Sequence, residues 1–262
     1  MTSTYTQPLV YFYGQGRSDG SAAMKDILGG KGAGLAEMTN LGIPVPPGFT
    51  IATTLCLQYL ETRQFSPRLK REVDRALQRL ESATRKSLGD ADHPLLVAVR
   101  SGAPVSMPGM MDTILNLGLN DATVEGLARL SGNASFAWDS YRRFVQMYGG
   151  VVYDIPKKEF ESRLHAHKQR AGVTRDIDLP LASVQAMVRE FKALVEERTG
   201  HAFPESPLDQ LWGAVAAVFE SWNTPRAIDY RHMHGIPDTM GTAVNVVAMV
   251  FGNMGEDSGT GV

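Results

Sequence analysis

A short glycine segment has the composition of a phosphate-binding loop. In Gly29-Gly30-Lys31-Gly32-Ala33-Gly34, a lysine lies among glycines, directly before a stretch of helical composition at 35–41. Free N–H groups at a helix amino terminus, the positive end of the helix dipole and a lysine charge all favour a bound phosphate. Taken alone, the segment is better explained as a flexible turn with a solvated lysine.

The same segment departs from two common nucleotide-binding motifs. Gly32 follows the lysine where a Walker A motif has Ser or Thr for magnesium, and the upstream glycine of that motif is missing. The third glycine of a dinucleotide fingerprint is also missing. A nicotinamide-binding oxidoreductase is therefore a weak hypothesis for this chain.

A second segment places an arginine near the end of a predicted buried strand. Arg100 follows the apolar run 95–99, and the loop after it is rich in Gly, Pro and Met. Open sheets tend to bind ligands at the carboxyl ends of strands, and a guanidinium can donate two hydrogen bonds to one phosphate. The alternative is that Arg100 pairs with an acidic neighbour and that the methionines fill gaps in the core.

The histidines do not form a metal-binding pattern. His165 and His167, like His232 and His234, are two residues apart, which on a helix directs each pair to different faces. We predict no metal-ligating residues and expect solvated or capping histidines. The sequence also offers no Ser-His-Asp or Cys-His arrangement for nucleophilic catalysis.

Strands towards both ends of the chain and helices between them would position these segments. Runs of β-branched and aromatic residues predict strands at 9–14, 49–53, 95–99 and 242–251. Apolar positions three and four residues apart predict helices at 66–88, 181–195, 211–222 and 225–234. The fold class is therefore α+β, with residues 121–234 mainly helical. Within them, the charged residues 139, 142 and 143 are expected to form an exposed face.

The last predicted strand is followed by turn-forming residues. Val262 would begin a return strand, so we expect a truncation inside a hairpin. The strand at 242–251 would then be an open edge, whose unpaired backbone groups could bind a second copy of the chain.

Composition excludes several classes of protein. The chain has 262 residues, 43% of them hydrophobic and 21% charged, which is enough to bury a core. Its 26 basic and 28 acidic residues leave a net charge of −2, which indicates neither a nucleic-acid nor an anionic membrane partner. The single cysteine, Cys56, excludes an internal disulfide framework. With no apolar run long enough to cross a bilayer and no secretory signal, we expect a soluble cytoplasmic protein.

Several longer strings carry a family resemblance, in collinear order from about residue 28 to the end. GGKGAGLAEM at 29–38, LGIPVPPGFT at 41–50 and VRSGA at 99–103 resemble the nucleotide-binding region shared by pyruvate phosphate dikinases and phosphoenolpyruvate synthases. SMPGMMDTILNLGLN at 106–120 resembles the dikinases specifically. Shorter strings that also resemble the dikinases lie at 139–144, 221–228, 241–246 and 249–253.

The resemblance implies an ATP-grasp nucleotide-binding domain with a helical insertion, truncated before the second half of the ATP cleft. Residues 1–120 would form the N-terminal α/β part, 121–234 the insertion, and 235–262 the start of the C-terminal part, cut inside a hairpin. In the family, ATP with Mg²⁺ phosphorylates a carrier histidine on a separate domain. In dikinases this histidine first takes the β,γ-pyrophosphoryl group, and inorganic phosphate then accepts the γ-phosphoryl group. A barrel domain converts pyruvate to phosphoenolpyruvate.

The resemblance also assigns residues to the site. Lys31 and Arg100 correspond to the catalytic, phosphate-contacting cations, and Gly109 and Met111 lie in a loop that closes over ATP. Fixed cations stabilise the charge on transferring phosphoryl oxygens, and a closed loop keeps out water. The sequence 103–105 departs from the family pattern, because a basic residue is expected after the alanine. Since the acidic metal-binding residues, the carrier histidine and the barrel would follow Val262, we expect this chain alone not to complete the reaction.

Three hypotheses follow. The first is the ATP-binding part of a pyruvate phosphate dikinase, with a phosphoenolpyruvate-synthase-like kinase domain as its variant. The second is an inactive fragment that binds no nucleotide and forms a homodimer through the strand at 242–251. The third is the nicotinamide-binding oxidoreductase.

Overall fold

Helices and strands both occur in the chain, and the computed structural model describes residues 7–109, 111–255 and 258–259. The strands are β1 (Val10–Gly14), β2 (Arg17–Ser18), β3 (Gly48–Ile51), β4 (Val97–Gly102), β5 (Thr113–Leu117) and β6 (Ala243–Ala248). The helices are α1 (Lys25–Asn40), α2 (Thr54–Thr62), α3 (Pro67–Thr84), α4 (Thr123–Ser131), α5 (Ala134–Val152), α6 (Lys157–Ala171), α7 (Leu181–Thr199), α8 (Pro207–Ser221) and α9 (Pro225–Met233). The predicted α+β class is confirmed.

The described strands form one sheet in the order β2-β1-β3-β6-β4-β5. β1 pairs antiparallel with β2 and β3, and β3 pairs antiparallel with β6, with Thr50 opposite Asn245. Because β6 lies between β3 and β4, the prediction that the strand at 242–251 is an open edge is wrong. Its backbone groups face neighbouring strands of the same chain. The return strand expected at Val262 lies outside the described residues.

Contacts within the chain define two compact units. The first comprises the described residues of Met1–Thr84, Val99–Thr113 and Val215–Ala248. The second comprises those of Arg85–Ala98, Ile114–Ala214 and Met249–Val262. The division into three parts at residues 120 and 234 stays a prediction.

The first unit packs helices against both faces of its strands. Tyr11 of β1 is buried in a cluster with Leu28 and Ala33 of α1. Because successive side chains of a strand point to opposite faces, the neighbouring Phe12 faces the other side. There the guanidinium of Arg79, on α3, lies 4.1 Å from the centre of the Phe12 ring. The apolar periodicity of the sequence at 66–88 correctly predicted the buried side of α3.

Helix α1 is interrupted at Gly29. This residue has φ 67° and ψ 171°, so α1 consists of a first turn before Gly29 and a longer helix after it. A side chain at a positive φ is strained, and a Cβ at this position would also overlap the carbonyl oxygen of Gly102. Only glycine therefore allows the start of α1 to pack this closely on the end of β4.

The second unit is built around aromatic side chains of α5, α6 and α7. The Phe160 ring of α6 contacts the Phe191 ring of α7 edge-on, with centroids 5.0 Å apart. Gly149 lets α5 approach them, since a Cβ there would lie 2.7 Å from the Phe160 ring. The apolar stripe at 181–195 correctly predicted the buried face of α7.

One charged residue of α5 departs from the predicted exposed face. Arg142 is buried, and its guanidinium forms ion pairs with Asp139 at 2.7 Å and with Asp176 at 3.5 Å. A buried charge is tolerated when opposite charges neutralise it. The carboxylate of Asp176 comes from the segment between α6 and α7, so its position could not be read from the helix pattern.

Two boundaries near the predicted phosphate-binding segments differ from the prediction. The strand expected at 95–99, with Arg100 at its carboxyl end, is observed as β4 at Val97–Gly102, so Arg100 lies within the strand. The Gly102 N–H donates to the Thr242 hydroxyl at 3.2 Å. α1 begins ten residues before the predicted helix at 35–41, because its first turn and the glycines themselves are helical apart from Gly29. None of the described helices combines the length and apolar character needed to cross a bilayer.

We expect Gly29→Ala to lower the free energy of unfolding by at least about 2 kcal/mol, because a positive φ and a steric overlap both oppose a Cβ. Gly34→Ala is the matched control on the same helix, since no atom lies within 4 Å of a Cβ at Gly34. This control should be neutral or stabilising by up to about 1 kcal/mol, because alanine favours helix. Urea denaturation measures both. Equal effects of the two substitutions would contradict the proposed close packing.

Candidate functional site

A cavity of about 440 Å³ lies in the first unit, where the interruption of α1 meets the loop that follows β4. Its lining combines two lysines with a backbone-rich loop. The lining residues are Lys25, Gly30, Lys31, Ser101, Gly102, Ala103, Pro104, Val105, Ser106, Met107, Pro108, Gly109 and Met111. Among these described residues none is acidic and none is aromatic. The cavity is therefore positively charged and suits an anion.

Backbone contacts on both sides of Gly30 fix the position of the lysine segment. The Gly30 N–H donates to the carbonyl of Ala103 at 2.9 Å, which joins the start of the longer helix to the loop after β4. Gly32 lies directly on the sheet. A Cβ there would come within 2.8 Å of the Thr50 hydroxyl and 2.9 Å of the Asn245 amide oxygen. The hydrogen bond at Gly30 and the close approach of Gly32 to the sheet position the backbone on both sides of Lys31.

Lys31 carries an unneutralised charge. Although its side chain is accessible to solvent, enough protein surrounds the ammonium for burial to lower its pKa below 10.5, and the positive charge of Arg100 lowers it further. Within the described part of the chain, neither Lys31 nor Arg100 forms an ion pair. The alternative interpretation, that Arg100 pairs with an acidic neighbour, finds no such neighbour among the described residues.

Arg100 lies beside the cavity and is not among the residues that line it. It is an exposed residue on β4 between the buried Val99 and Ser101, so its side chain shares a strand face with Gly102. That face is the one on which the start of α1 packs, because a Cβ at Gly102 would lie 3.6 Å from the carbonyl oxygen of Leu28. The structure therefore places the two predicted cations on the same side of the sheet and close enough to interact electrostatically.

The two predicted loop residues, Gly109 and Met111, both line the cavity. Gly109 has φ 72°, a conformation that favours glycine. The sulfur of Met111 lies 3.8 Å from the Ser221 hydroxyl, which contacts it from α8. The next residue, Asp112, forms an ion pair with Arg226 at 2.7 Å, so the carboxyl-terminal end of the loop is held by α9.

The prediction from sequence missed Lys25. It lies four residues before Gly29, outside the glycine segment, and it lines the cavity because the interruption of α1 turns the first helical turn towards the loop. A continuous helix would have given no reason to group residues 25 and 31. The signal that could have revealed it is Gly29 itself, as the glycine that breaks the helix.

The metal-binding reading gains no support from the described residues. No group of three or more His, Cys, Asp or Glu side chains that could hold a metal ion occurs among them. One histidine differs from the expectation that these residues are solvated or capping. His167 is buried, with Nδ1 2.9 Å from the Ser183 hydroxyl and Nε2 3.1 Å from the Glu190 carboxylate. This contact joins α6 to α7.

Comparison with known proteins identifies the relatives of this chain. The family described as "Pyruvate phosphate dikinase, AMP/ATP-binding domain" matches residues 25–80 and 57–262. The chain is 54% identical over 254 residues to a pyruvate, phosphate dikinase of Rhizobium meliloti. The alignment covers 97% of this chain and 28% of the relative. It is 53% identical over 246 residues to a pyruvate, phosphate dikinase of Clostridium symbiosum, which covers 93% of this chain and 28% of the relative.

Plant relatives match over a similar range. The chain is 52% identical over 258 residues to "Pyruvate, phosphate dikinase 1, chloroplastic" of Oryza sativa, which covers 98% of this chain and 27% of the relative. The chain thus spans less than a third of the length of the curated relatives that it matches. The resemblance read from the sequence is confirmed.

Replacing Lys31 by Gln should not destabilise the protein in the absence of ligand. Because burial and Arg100 lower the pKa of Lys31, the charged ammonium is disfavoured in the folded state at neutral pH. As pH rises through this lowered pKa, the folded wild type loses the charge and the penalty disappears. Urea denaturation should therefore show Lys31→Gln to be as stable as, or more stable than, the wild type at about pH 7, with the difference shrinking towards about pH 10.

The matched control is Lys70→Gln, an exposed lysine on α3. This substitution should leave the free energy of unfolding unchanged at both pH values. A clear loss of stability in Lys31→Gln at neutral pH would show that the ammonium has a stabilising partner, and would contradict the account of an unneutralised charge.

Proposed function

Because the chain belongs to the family of pyruvate phosphate dikinase AMP/ATP-binding domains, we propose that it supplies the phosphate-binding part of an ATP site in a phosphotransferase of that type. The reaction would use ATP and phosphate to phosphorylate a carrier histidine and convert pyruvate to phosphoenolpyruvate. The curated relatives that match this chain are named as pyruvate, phosphate dikinases.

The observation that carries the proposal is a cavity with lysines and no carboxylate among its described lining residues. Folded proteins usually pair their charges or leave them fully solvated, since partial desolvation of an unpaired charge costs free energy. Lys31 bears this cost twice, through burial and through its proximity to Arg100. A bound polyphosphate would remove both penalties at once.

The side chains of this chain would bind and orient the phosphates. The Lys31 ammonium would contact phosphate oxygens inside the cavity, and the Arg100 guanidinium would approach them from β4. Such fixed cations stabilise the negative charge that spreads over the oxygens of a transferring phosphoryl group. We propose the loop that contains Gly109 and Met111 as a cover that excludes water, because both residues line the same cavity.

Magnesium would enter with the nucleotide. The described residues of the cavity provide ammonium groups and no carboxylate, so they do not fit a resident magnesium site. We therefore assign no step of the reaction to a metal held by this part of the chain. Mg²⁺ is proposed only as the counter-ion that a nucleoside triphosphate carries.

The finer features of the resemblance belong to the same proposal. We propose the ATP-grasp arrangement with its helical insertion at 121–234, a cytoplasmic location, and a phosphohistidine carrier domain and a pyruvate-binding barrel domain as partners. The length of the relatives supports the last two, since this chain spans about 28% of them. A phosphoenolpyruvate-synthase-like kinase domain remains the variant, and the names of the relatives favour the dikinase.

We expect Lys31→Gln and Arg100→Gln each to weaken binding of Mg-ATP to this chain about ten- to a hundredfold, the effect of losing one hydrogen bond to a charged group. Isothermal titration calorimetry measures the dissociation constants. Lys70→Gln, an exposed lysine on α3, serves as the charge-matched control and should bind ATP like the wild type.

If the two cavity variants bind ATP as tightly as the wild type, the site is assigned wrongly. If Lys70→Gln weakens binding as much as they do, the effect reflects overall charge and not a site. Tight binding of NADH in place of ATP would instead support the oxidoreductase hypothesis.

A further inference from the structure

We propose that Lys25 is a second phosphate-binding cation of the cavity, and that Lys25 and Lys31 together select a ligand with at least two linked phosphates. This proposal rests on the proposed function and adds a binding residue to it. It starts from one geometric fact: the interruption of α1 at Gly29 brings residues of two separate helical pieces to one cavity.

The first turn of α1 is held firmly enough to position a side chain. The Thr53 hydroxyl donates to the carbonyl of Asp26 at 2.5 Å, and the Thr53 N–H donates to the carbonyl of Ile27 at 2.9 Å. These bonds attach the turn to the segment that follows β3. Lys25 therefore projects from a fixed backbone, as does Lys31 beyond the interruption.

The Lys25 ammonium is available to a ligand. Lys25 is an exposed residue at the start of α1, and it lines the cavity. In the described part of the chain its ammonium forms no ion pair, and none of the described residues lining the cavity is acidic. An anion in the cavity would compensate the Lys25 charge.

Two lysines on separate backbone pieces match a chain of phosphates better than a single one. One phosphate can satisfy one ammonium and adjacent N–H groups, whereas linked phosphates can contact both ammonium groups. The described lining holds no aromatic side chain on which a base could stack, so the cavity would recognise the phosphate tail and not the nucleobase. The ligand class is therefore a di- or triphosphate, free or esterified to a nucleoside.

The test compares Lys25→Gln with the wild type by isothermal titration calorimetry, using Mg-ATP, inorganic tripolyphosphate and inorganic phosphate as probes. We expect the wild type to bind tripolyphosphate, and Lys25→Gln to weaken binding of both ATP and tripolyphosphate about tenfold. The affinity for inorganic phosphate should change by less than about threefold, because Lys31 alone can hold a single phosphate.

Two further variants separate the charge from the fold. Lys25→Arg keeps the cation and should retain most of the affinity for tripolyphosphate, while Lys70→Gln removes a lysine from the surface of α3 and should have no effect. Urea denaturation of each variant checks that the protein remains folded. If Lys25→Gln unfolds, the proposal is tested by comparing the ATP affinities of Lys25→Arg and the wild type. A tenfold loss of ATP affinity in Lys25→Arg overturns the proposal.

The outcomes distinguish this proposal from the function on which it rests. If Lys31→Gln loses ATP binding but Lys25→Gln does not, the ATP site stands and the role of Lys25 is refuted. If the wild type binds tripolyphosphate through Lys25 but does not bind ATP, the cavity is a polyphosphate site and the nucleotide function fails. If the wild type binds neither ligand, both proposals are overturned.

Discussion

The close approach of Gly29 to the carbonyl of Gly102 is the contact on which the candidate site depends. It requires a positive φ and the absence of a side chain at Gly29. It brings the end of the first turn of α1 next to Gly102, the last residue of β4. The adjacent hydrogen bond from the Gly30 N–H to Ala103 then joins the two chain segments. Everything that lines the cavity belongs to these segments or to the loop that continues from them, so the position of each cation follows from this one backbone contact.

That contact has an electrostatic consequence. It places Lys31 near Arg100, and it does so among described residues that provide no carboxylate to either. The arrangement costs stability in the free protein and becomes favourable when an anion fills the cavity, as preorganised cationic sites do. Elsewhere in the chain, buried charge is neutralised in the ordinary way, as at Arg142, where two aspartates surround the guanidinium. The difference between the two sites supports the proposal that the cavity binds an anion.

Local patterns in the sequence predicted the fold class and the main helices, because apolar spacing alone determines which face of α3 or α7 is buried. They also indicated Lys31 and Arg100, since glycines, a strand and cations are adjacent in the chain. Three features could not be predicted, because they depend on partners that are distant in sequence. The interior position of β6 depends on β3 and β4, the burial of Arg142 on Asp176, and the position of Lys25 at the cavity on the interruption of α1 at Gly29.

The most direct test of the central claim is a titration of the ¹⁵N-labelled chain with Mg-ATP, followed by backbone amide chemical shifts. The account predicts saturable shifts that share one dissociation constant at Gly30, Lys31 and Gly32 and at the amides from Gly102 to Gly109, because both segments border the cavity. Little change is expected in α6 and α7 of the second unit. Saturable shifts confined to those helices, or shifts at only one of the two cavity segments, would contradict the shared phosphate site.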